Sequence, residues 1–440
     1  MRTGEKKHLS FGSFLMILIS ILVIAGFVFV IPKLTGGQRV DISKLDFNEV
    51  LDIHTLVPAA GSDETTKTSD KKETAPLQYA ATSLAIETTQ TEQKTGGSVS
   101  MTFGGIIAIE DAVRKAAYIS DSKQYDFSET LRLISPYMNS DINCAFVENL
   151  LLDNQKVSNL IVPSNAADTY KKAGLNTICL GFPKVYDKDS EGLGATITAL
   201  REFGMEVHGV YDEQDEDPSS DIQNAGDLKV AILQYTAEIT STGTKLMKKR
   251  DEQWAVPADD PEMISQDIAT VRAAGADVVV VCMHWGKTGN KSPNKKQKEL
   301  AQKIADAGAD IIIGAGSRVV QNIEYLTVEK PDGTKNSVLC AWSLGCLMSE
   351  SRDAGRVAGI LLKLTVSKDA QEHISVRSAA YIPTYIWQYK QDGMTYYRTI
   401  AADRNQPDGL TATDEKNMAK AVTTVSKALT DSPVDLAEIN

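Results

Sequence analysis

The pattern of apolar and polar positions divides the chain into three regions. Residues 11–32 are uncharged and almost continuously apolar, a run long enough for one helix to cross a bilayer. Residues 59–98 are rich in Thr, Ser, Glu, Lys and Gln with few large hydrophobic residues, a composition that leaves a chain flexible. Regular alternation of apolar and polar residues begins at Val99, so the pattern predicts a folded domain from that residue onward.

Strand-like and helical patterns alternate between residue 99 and residue 318. Apolar runs such as 277–285 follow segments of helical periodicity, and two helices end at the sequence Ala-Gly-Ala-Asp, a good helix stop. This alternation predicts a largely parallel sheet. From Val319 to about Ile400 the runs are strand-like with almost no helix, and an amphipathic helix follows around 414–429. We therefore predict an α/β fold with two packed sheets and outer helices.

The flanking charges predict how the chain is arranged about a membrane. Arg2, Lys6 and Lys7 precede the apolar segment, and the positive-inside rule keeps that end in the cytoplasm. A cleaved signal peptide is the alternative, but the apolar stretch is longer than usual and no small-x-small site closes it. The predicted parts are a cytoplasmic tail (1–10), a single-pass cell-membrane anchor (11–32), an extracytoplasmic flexible stalk (33–98), a domain (99–403), and a C-terminal helix with an acidic tail (404–440).

Charge and cysteine content narrow the classes of partner. The net charge is −12 and no dense basic patch is visible, which argues against a nucleic-acid partner. The five cysteines form no close pairs and match no zinc motif, so we interpret them as mostly buried thiols.

The best-placed histidine of the chain is His284. It directly follows the apolar run 278–283, and in α/β sheets ligands bind just beyond the carboxyl ends of strands. The chain has five histidines, and the others are expected in the tail, the stalk, a strand and the β-rich half. We therefore expect His284 to stand nearly alone.

Four motifs in order resemble a known family. They are "HWG" at residue 284 with "QKELAQKIADAGADIIIG" after it, then "VVQNIEYL", "WSLGCLMSESR" and "YIPTYIWQY". Together they resemble the CapA family of bacterial capsule (poly-γ-glutamate) synthesis proteins, which have a calcineurin-like metallophosphoesterase fold. The resemblance implies a four-layer α-β-β-α sandwich between about Val99 and Ile400.

The resemblance also implies a dinuclear metal site, and this chain departs from it. At the matching positions only His284 is plainly present, and Glu148 or Asn149 survives in scrambled order. The other expected ligands are replaced by Gly105, Phe182, Pro183, Lys184, Ala315, Gly316 and Arg318. Two adjacent cations need several converging ligands, so we expect no metal cofactor. The alternative is one divalent ion (Mn, Zn or Fe) held by His284 and Glu148.

Six residues are candidates for the functional site, and four of them also have a simpler interpretation. His284 and Glu148 are candidate catalytic residues, although His284 is more simply a packing partner of Trp285 and Glu148 a solvated carboxylate. The candidate ligand-binding residues are Lys184, Arg318, Trp285 and Asn149. Lys184 and Arg318 are more simply exposed turn charges, but both would suit an anionic ligand or stand in for a lost metal.

Three functions remain open at this point. The first is a membrane-anchored, non-catalytic subunit of capsule synthesis or export, binding an anionic capsule or wall polymer beside a membrane-bound polyglutamate ligase or exporter. The second is a metal-dependent phosphoesterase or hydrolase acting on a cell-surface polymer. The third is a cell-surface binding protein that kept the fold and changed its partner.

Overall fold

The computed structural model describes residues 95–214, 216–330, 333–391, 393–402 and 406–436. Strands in this part of the chain form a nine-stranded sheet, a six-stranded sheet and two short two-stranded ribbons. The predicted cytoplasmic tail, membrane anchor and nearly all of the stalk lie outside the described residues. No helix within the described ranges is long and apolar enough to cross a membrane.

The nine-stranded sheet has a parallel half and an antiparallel half that meet at strand β1 (Thr95–Ile107). β1 is parallel to its neighbour on one side and antiparallel to its neighbour on the other. The parallel strands are β4 (Ile142–Val147), β7 (Thr177–Cys179) and β8 (Glu206–His208). The antiparallel strands are β16 (Ala358–Asp369), β17 (Ile374–Gln391) and β18 (Met394–Ala401). Short strands β15 (Cys346–Met348) and β19 (Asp435–Leu436) pair with β1 and β17.

The six-stranded sheet is parallel in its middle and antiparallel at both edges. Its parallel strands are β10 (Leu228–Thr236), β11 (Val278–His284), β12 (Ile311–Ala315) and β14 (Lys335–Ala341). The edge strands are β9 (Ile222–Ala225) and β13 (Ile323–Glu329). The ribbons pair β2 (Tyr118–Ile119) with β3 (Gln124–Tyr125) and β5 (Leu150–Leu151) with β6 (Ile161–Val162). The β-rich half of the chain therefore extends both sheets rather than forming a layer of its own.

Strand β11 shows how the two sheets share a core. Val278, Val280 and Cys282 belong to the main core, which also contains residues of the nine-stranded sheet. Val279 and Val281 alternate with them and pack on the other face, in a second core that includes helix residues. Side chains of a strand alternate between its two faces. A strand that is covered on both faces therefore has a continuous run of apolar residues in its sequence.

Helices cover the outer faces of the two sheets. α6 (Pro261–Ala273) and α7 (Lys295–Asp306) contribute to the second core against the six-stranded sheet. The remaining helices are α1 (Asp111–Ala116), α2 (Ser128–Leu131), α3 (Ala166–Lys172), α4 (Asp189–Glu202), α5 (Ser241–Arg250) and α8 (Ala412–Ala428). A 3₁₀ helix (Arg132–Tyr137) continues α2. Buried side chains of α4 and α8 join the main core, which completes the predicted four-layer α-β-β-α arrangement.

The domain boundaries differ from the predicted ones at both ends. β1 begins at Thr95, so residues 95–98 belong to the sheet and not to the stalk. At the other end, α8 packs on the core through Met418, Ala421 and Val425, and β19 pairs with β17. The described part of 404–440 is therefore continuous with the domain and is not a separate tail.

Two helices were not predicted because their sequences lack an apolar stripe. α5 has only Gly243 and Met247 buried, and its N-terminus is capped by Thr240, whose hydroxyl accepts from the Gly243 N–H. α1 buries only Val113. The interpretation of the cysteines is confirmed, since all five are buried and unpaired.

Candidate active site

A cleft of about 850 Å³ opens where the carboxyl ends of strands from both sheets meet. Strands β1 and β4 of the nine-stranded sheet lead to one wall, through Glu110 and Glu148. Strands β11 and β12 of the six-stranded sheet lead to the facing wall, through His284 and Arg318. These four residues form what we call the charge cluster. Its position is the one at which α/β sheets generally bind ligands.

His284 and Glu148 contact each other directly across the cleft. His284 Nε2 lies 2.9 Å from Glu148 Oε1, and the two side chains are only 8% and 10% exposed. His284 therefore has a direct partner, and this partner is the other candidate catalytic residue, Glu148. Glu148 is not a solvated strand-end carboxylate, because its oxygens are bound to protein groups.

Arg318 joins the same network from the loop after β12. Its Nη1 donates to Glu110 Oε1 at 2.7 Å, and its Nη2 donates to Glu148 Oε2. The residue has a positive φ of 57°, which is uncommon for a side chain other than glycine and is typical of functional sites. Arg318 is 20% exposed and is not the exposed turn charge that was the simpler interpretation.

The electrostatics keep Glu148 and Arg318 ionised near neutral pH. Burial of the Glu148 carboxyl opposes its ionisation, but the hydrogen bond and attraction of His284, together with Arg318, lower its pKa to about 2. Burial acts to lower the pKa of Arg318, whereas the Glu148 and Glu110 carboxylates raise it above its ordinary value. The single positive charge of Arg318 is thus shared by two carboxylates and is not left for a ligand.

The residues of the cleft do not fit the dinuclear metal centre that the resemblance implied. Within the described residues, no three His, Cys, Asp or Glu side chains are grouped so that they could hold a metal ion. The carboxylates of Glu110 and Glu148, which would be the natural ligands, both accept hydrogen bonds from Arg318. A guanidinium therefore occupies the space between the acids.

Two glycines, at positions where the resemblance implied ligands, leave no room for a larger side chain. A Cβ added to Gly105 would lie 2.3 Å from the carbonyl oxygen of Gly345. A Cβ added to Gly316 would lie 2.3 Å from the carbonyl oxygen of Trp285, and Gly316 has a φ of 107°. Both contacts involve backbone, which cannot rotate away as a side chain can. The backbone itself therefore excludes an Asp at one position and a His at the other.

Lys184 and Trp285 both line the cleft but in different ways. Lys184 is exposed, and its ammonium forms no ion pair with any described residue. Trp285 is only 3% exposed and belongs to the second core. Its indole N–H donates to the Trp342 carbonyl at 3.1 Å, and the two rings stack with centroids 5.5 Å apart. Trp285 is mainly a packing residue.

Asn149, a predicted ligand-binding residue, is not among the residues that line the cleft. The residue is fully buried, and its side-chain amide is used by the protein itself. Its Oδ1 accepts from the Ile109 N–H at 2.8 Å, and its Nδ2 donates to the carbonyls of Ile109 and Asn159. Asn149 fixes the chain that carries Glu110 and is not part of the cleft surface.

The sequence interpretation missed two lysines at the rim of the cleft. Lys287 and Lys296 line it and are exposed. Neither forms an ion pair with a described residue. They belong to the stretch 287–298, which contains five lysines and no acidic residue. The statement that no dense basic patch is visible is therefore wrong here, and this run of lysines was the signal that pointed to it.

Three acidic residues of the cleft were also missed: Glu110, Glu238 and Asp259. Burial, followed by the nearby carboxylates of Asp260 and Glu238, raises the pKa of Asp259. None of the three lies in a recognisable motif, so the sequence carried no signal for them. The cleft combines acidic groups with exposed lysines.

The fold and the cleft together define a class of protein. It is a mixed α/β protein whose two sheets direct a histidine, carboxylates and an arginine into one cleft at their strand ends. The family described as "Bacterial capsule synthesis protein PGA_cap" matches residues 100–351, and the chain belongs to this family.

Curated relatives agree with this assignment. The chain is 26% identical over 213 residues to "Capsule biosynthesis protein CapA" of Bacillus anthracis, covering 46% of this chain and 51% of the relative. It is 27% identical over 225 residues to "PGA biosynthesis protein CapA" of Bacillus subtilis (strain 168), covering 50% and 55%. The chain thus matches about half the length of these curated relatives.

Solved structures show weaker similarity. The NAD nucleotidase of Haemophilus influenzae aligns with a TM-score of 0.39 at 14% identity, over 78% of this chain and 57% of that one. The calcineurin-like phosphoesterase YfkN of Bacillus subtilis aligns with a TM-score of 0.37 at 13% identity, over 76% and 98%. Similarities at this level carry no argument about the site.

Proposed function

We propose that this protein is a membrane-anchored, extracytoplasmic and non-catalytic component of capsule-polymer synthesis or export. In this proposal the cleft holds a segment of an anionic polymer of the poly-γ-glutamate type. Family membership supports the connection with capsule synthesis, and one curated relative is named for PGA biosynthesis. The partners that follow from this role are a membrane-bound polyglutamate ligase or exporter, and no nucleic acid.

The observation that carries the proposal is the distribution of free positive charge around the cleft. Lys184, Lys287 and Lys296 line it, are exposed, and have no ion-pair partner among the described residues. Arg318, in contrast, is already bound to two carboxylates. One exposed lysine contributes little to binding, whereas several lysines facing a repeating polyanion act together. A polymer with one carboxylate per unit suits this arrangement better than a small ligand.

The proposed absence of catalysis follows from the state of the charge cluster. Glu148 is bound by His284 Nε2 through one carboxylate oxygen and by Arg318 through the other, so both of its oxygens are engaged within the protein. The guanidinium of Arg318 lies between Glu110 and Glu148 and supplies the positive charge there. We infer that Arg318 takes the structural place of a metal ion.

Charge reversal at the rim tests polymer binding. In the full-length protein in detergent, Lys287→Glu with Lys296→Glu should weaken binding of fluorescent poly-γ-glutamate about tenfold or more, because attraction becomes repulsion. Fluorescence anisotropy measures the affinity. Binding to the unchanged protein should weaken as salt is raised.

Lys298→Glu is the matched control for this test. Lys298 is exposed on the same helix but does not line the cleft. We expect it to change affinity about twofold at most. If the control weakens binding as much as the rim variants, or if the unchanged protein does not bind the polymer, the cleft is not the polymer site.

A metal test separates this proposal from a metal-dependent hydrolase. After incubation with manganese, zinc or iron, elemental analysis should find no stoichiometric metal in the purified protein. We also expect no hydrolysis of a phosphodiester substrate with any of these ions, since the ligands of a two-metal clamp are not assembled. Hydrolysis that is lost on adding a chelator and in His284→Ala would refute the non-catalytic role.

A further inference from the structure

A second cavity of about 480 Å³ borders the charge cluster. Glu110 and Arg318 line both this cavity and the cleft, so the two adjoin at this ion pair. The rest of the second cavity is lined by Cys346 of β15 and by the polar loop after that strand, residues 349–356. This loop contributes Arg352 and Arg356 as well as Glu350 and Asp353.

Most charges in the second cavity are already neutralised by partners within the protein. Arg356 Nη2 pairs with Asp353 at 2.9 Å. Glu110 accepts from Arg318 and from the Glu350 N–H. The Glu350 carboxylate accepts from the Ala112 N–H at 2.8 Å. These contacts hold the loop in place, and the two ion pairs neutralise their own charges, whereas the Glu350 carboxylate keeps its negative charge because a backbone N–H is neutral.

Arg352 is the exception among the three arginines that line this cavity. Its Nη1 donates to the Ile386 carbonyl at 3.0 Å, and its guanidinium lies 5.3 Å from the centre of the Tyr397 ring. Its Nε donates to the Glu350 carbonyl at 3.4 Å. None of these partners carries a charge that would neutralise it, and no described carboxylate pairs with it. Partial withdrawal from water lowers the pKa of Arg352. Neutral groups therefore hold the guanidinium in position while its charge remains available.

We propose that Arg352 forms a second carboxylate subsite for the same polymer that the cleft binds. A linear polycarboxylate held by the rim lysines would cross the Glu110–Arg318 pair and place a later carboxylate against Arg352. An arginine held at one edge can offer its remaining N–H groups to a carboxylate, a strong form of recognition. This inference rests on the proposed function, because it requires the cleft to hold the polymer.

A series of γ-glutamate oligomers from dimer to decamer, titrated into the full-length protein, tests the subsite. Affinity should rise with length until the oligomer spans both cavities. In Arg352→Gln, the decamer should bind about tenfold more weakly, while binding of the dimer should change little. Arg352→Lys keeps the charge and should recover part of the loss. Thermal unfolding of each variant checks that the fold is intact.

Arg356→Gln is the matched control, since the charge of Arg356 is already paired with Asp353, and it should leave the length dependence unchanged. The subsite is refuted if Arg352→Gln weakens the dimer and the decamer equally, or if Arg356→Gln has the same effect as Arg352→Gln. It is also refuted if polyphosphate, and not γ-glutamate, shows the dependence on Arg352. In those cases the proposal that the cleft binds the polymer still holds. If the unchanged protein binds no oligomer at all, both proposals are refuted.

Discussion

Glu148 makes two contacts at once. One carboxylate oxygen binds His284 and the other binds Arg318, so both oxygens are engaged within the protein. Removing one member of such a buried group is unfavourable because the others are left uncompensated. At the residue scale, the site is thus a closed network of contacts among Glu148, His284 and Arg318.

This network should make stability depend on pH in a defined window. The pKa of Glu148 is lowered from 4.5 to about 2 in the folded protein. Its contribution is therefore fully present above pH 4.5 and is lost as the pH falls toward 2, because the unfolded chain takes up the proton first. The free energy of unfolding of the unchanged protein should therefore fall as the pH is lowered through this range. In Glu148→Gln we expect that fall to be smaller by about 2–3 kcal/mol.

Urea unfolding at a series of pH values measures this effect. Glu329→Gln is a suitable control, since Glu329 is a 72% exposed carboxylate on a surface strand. The control should follow the pH profile of the unchanged protein. If Glu148→Gln also follows that profile, the ion pairs of the charge cluster do not persist in solution.

At the element scale, two short segments shape the cleft. Helix α7 begins with a capping box in which Asn294 and Gln297 bond reciprocally. This fixes its first turn, where Lys296 faces the cleft, while Ala301 and Ile304 pack into the second core. Strand β1 contacts β15 so closely that the Ile106 N–H donates to the Gly345 carbonyl at 3.0 Å.

The contact between β1 and β15 predicts that Gly105 accepts no side chain. Gly105→Ala should destabilise the protein by about 1–3 kcal/mol, because the new methyl group meets the backbone of Gly345. Urea unfolding gives the free energy. Gly194→Ala is the matched control: Gly194 lies in α4, and nothing surrounds its Cβ position within 4 Å. That variant should be neutral or up to about 1 kcal/mol more stable. A Gly105→Ala protein as stable as the unchanged one would show that β1 has room for the missing aspartate.

At the scale of the whole molecule, the remaining prediction concerns the membrane. An alkaline phosphatase fused after Gln90 should be active and a β-galactosidase fused there inactive, because the apolar segment 11–32 is preceded by positive charge. The same reporters fused after His8 should give the opposite result. Activity of β-galactosidase at residue 90 would place the folded domain in the cytoplasm and contradict the proposed location.

The sequence by itself determined the order and type of most elements. The apolar periodicity correctly predicted the positions of β11, β12, α6 and α7. This is possible because the spacing of apolar residues along a segment depends directly on which of its faces are buried. Helices such as α5 were missed for the same reason, since few of its residues are buried. The family could also be recognised from the sequence, because the order of its motifs along the chain is visible without the tertiary contacts.

The composition of the site was decided by the tertiary structure. His284 lies 136 residues from Glu148, and Arg318 lies 170 residues from it, so no local pattern records that they pair. Neighbouring residues at a strand end point to opposite sides, which is why Glu148 enters the cleft while Asn149 is buried in the wall. The sequence shows which residues carry charge. The packing of the two sheets decides which of these charges neutralise each other and which remain available, as those of Lys296 and Arg352 do, because it brings together residues that are far apart in the chain.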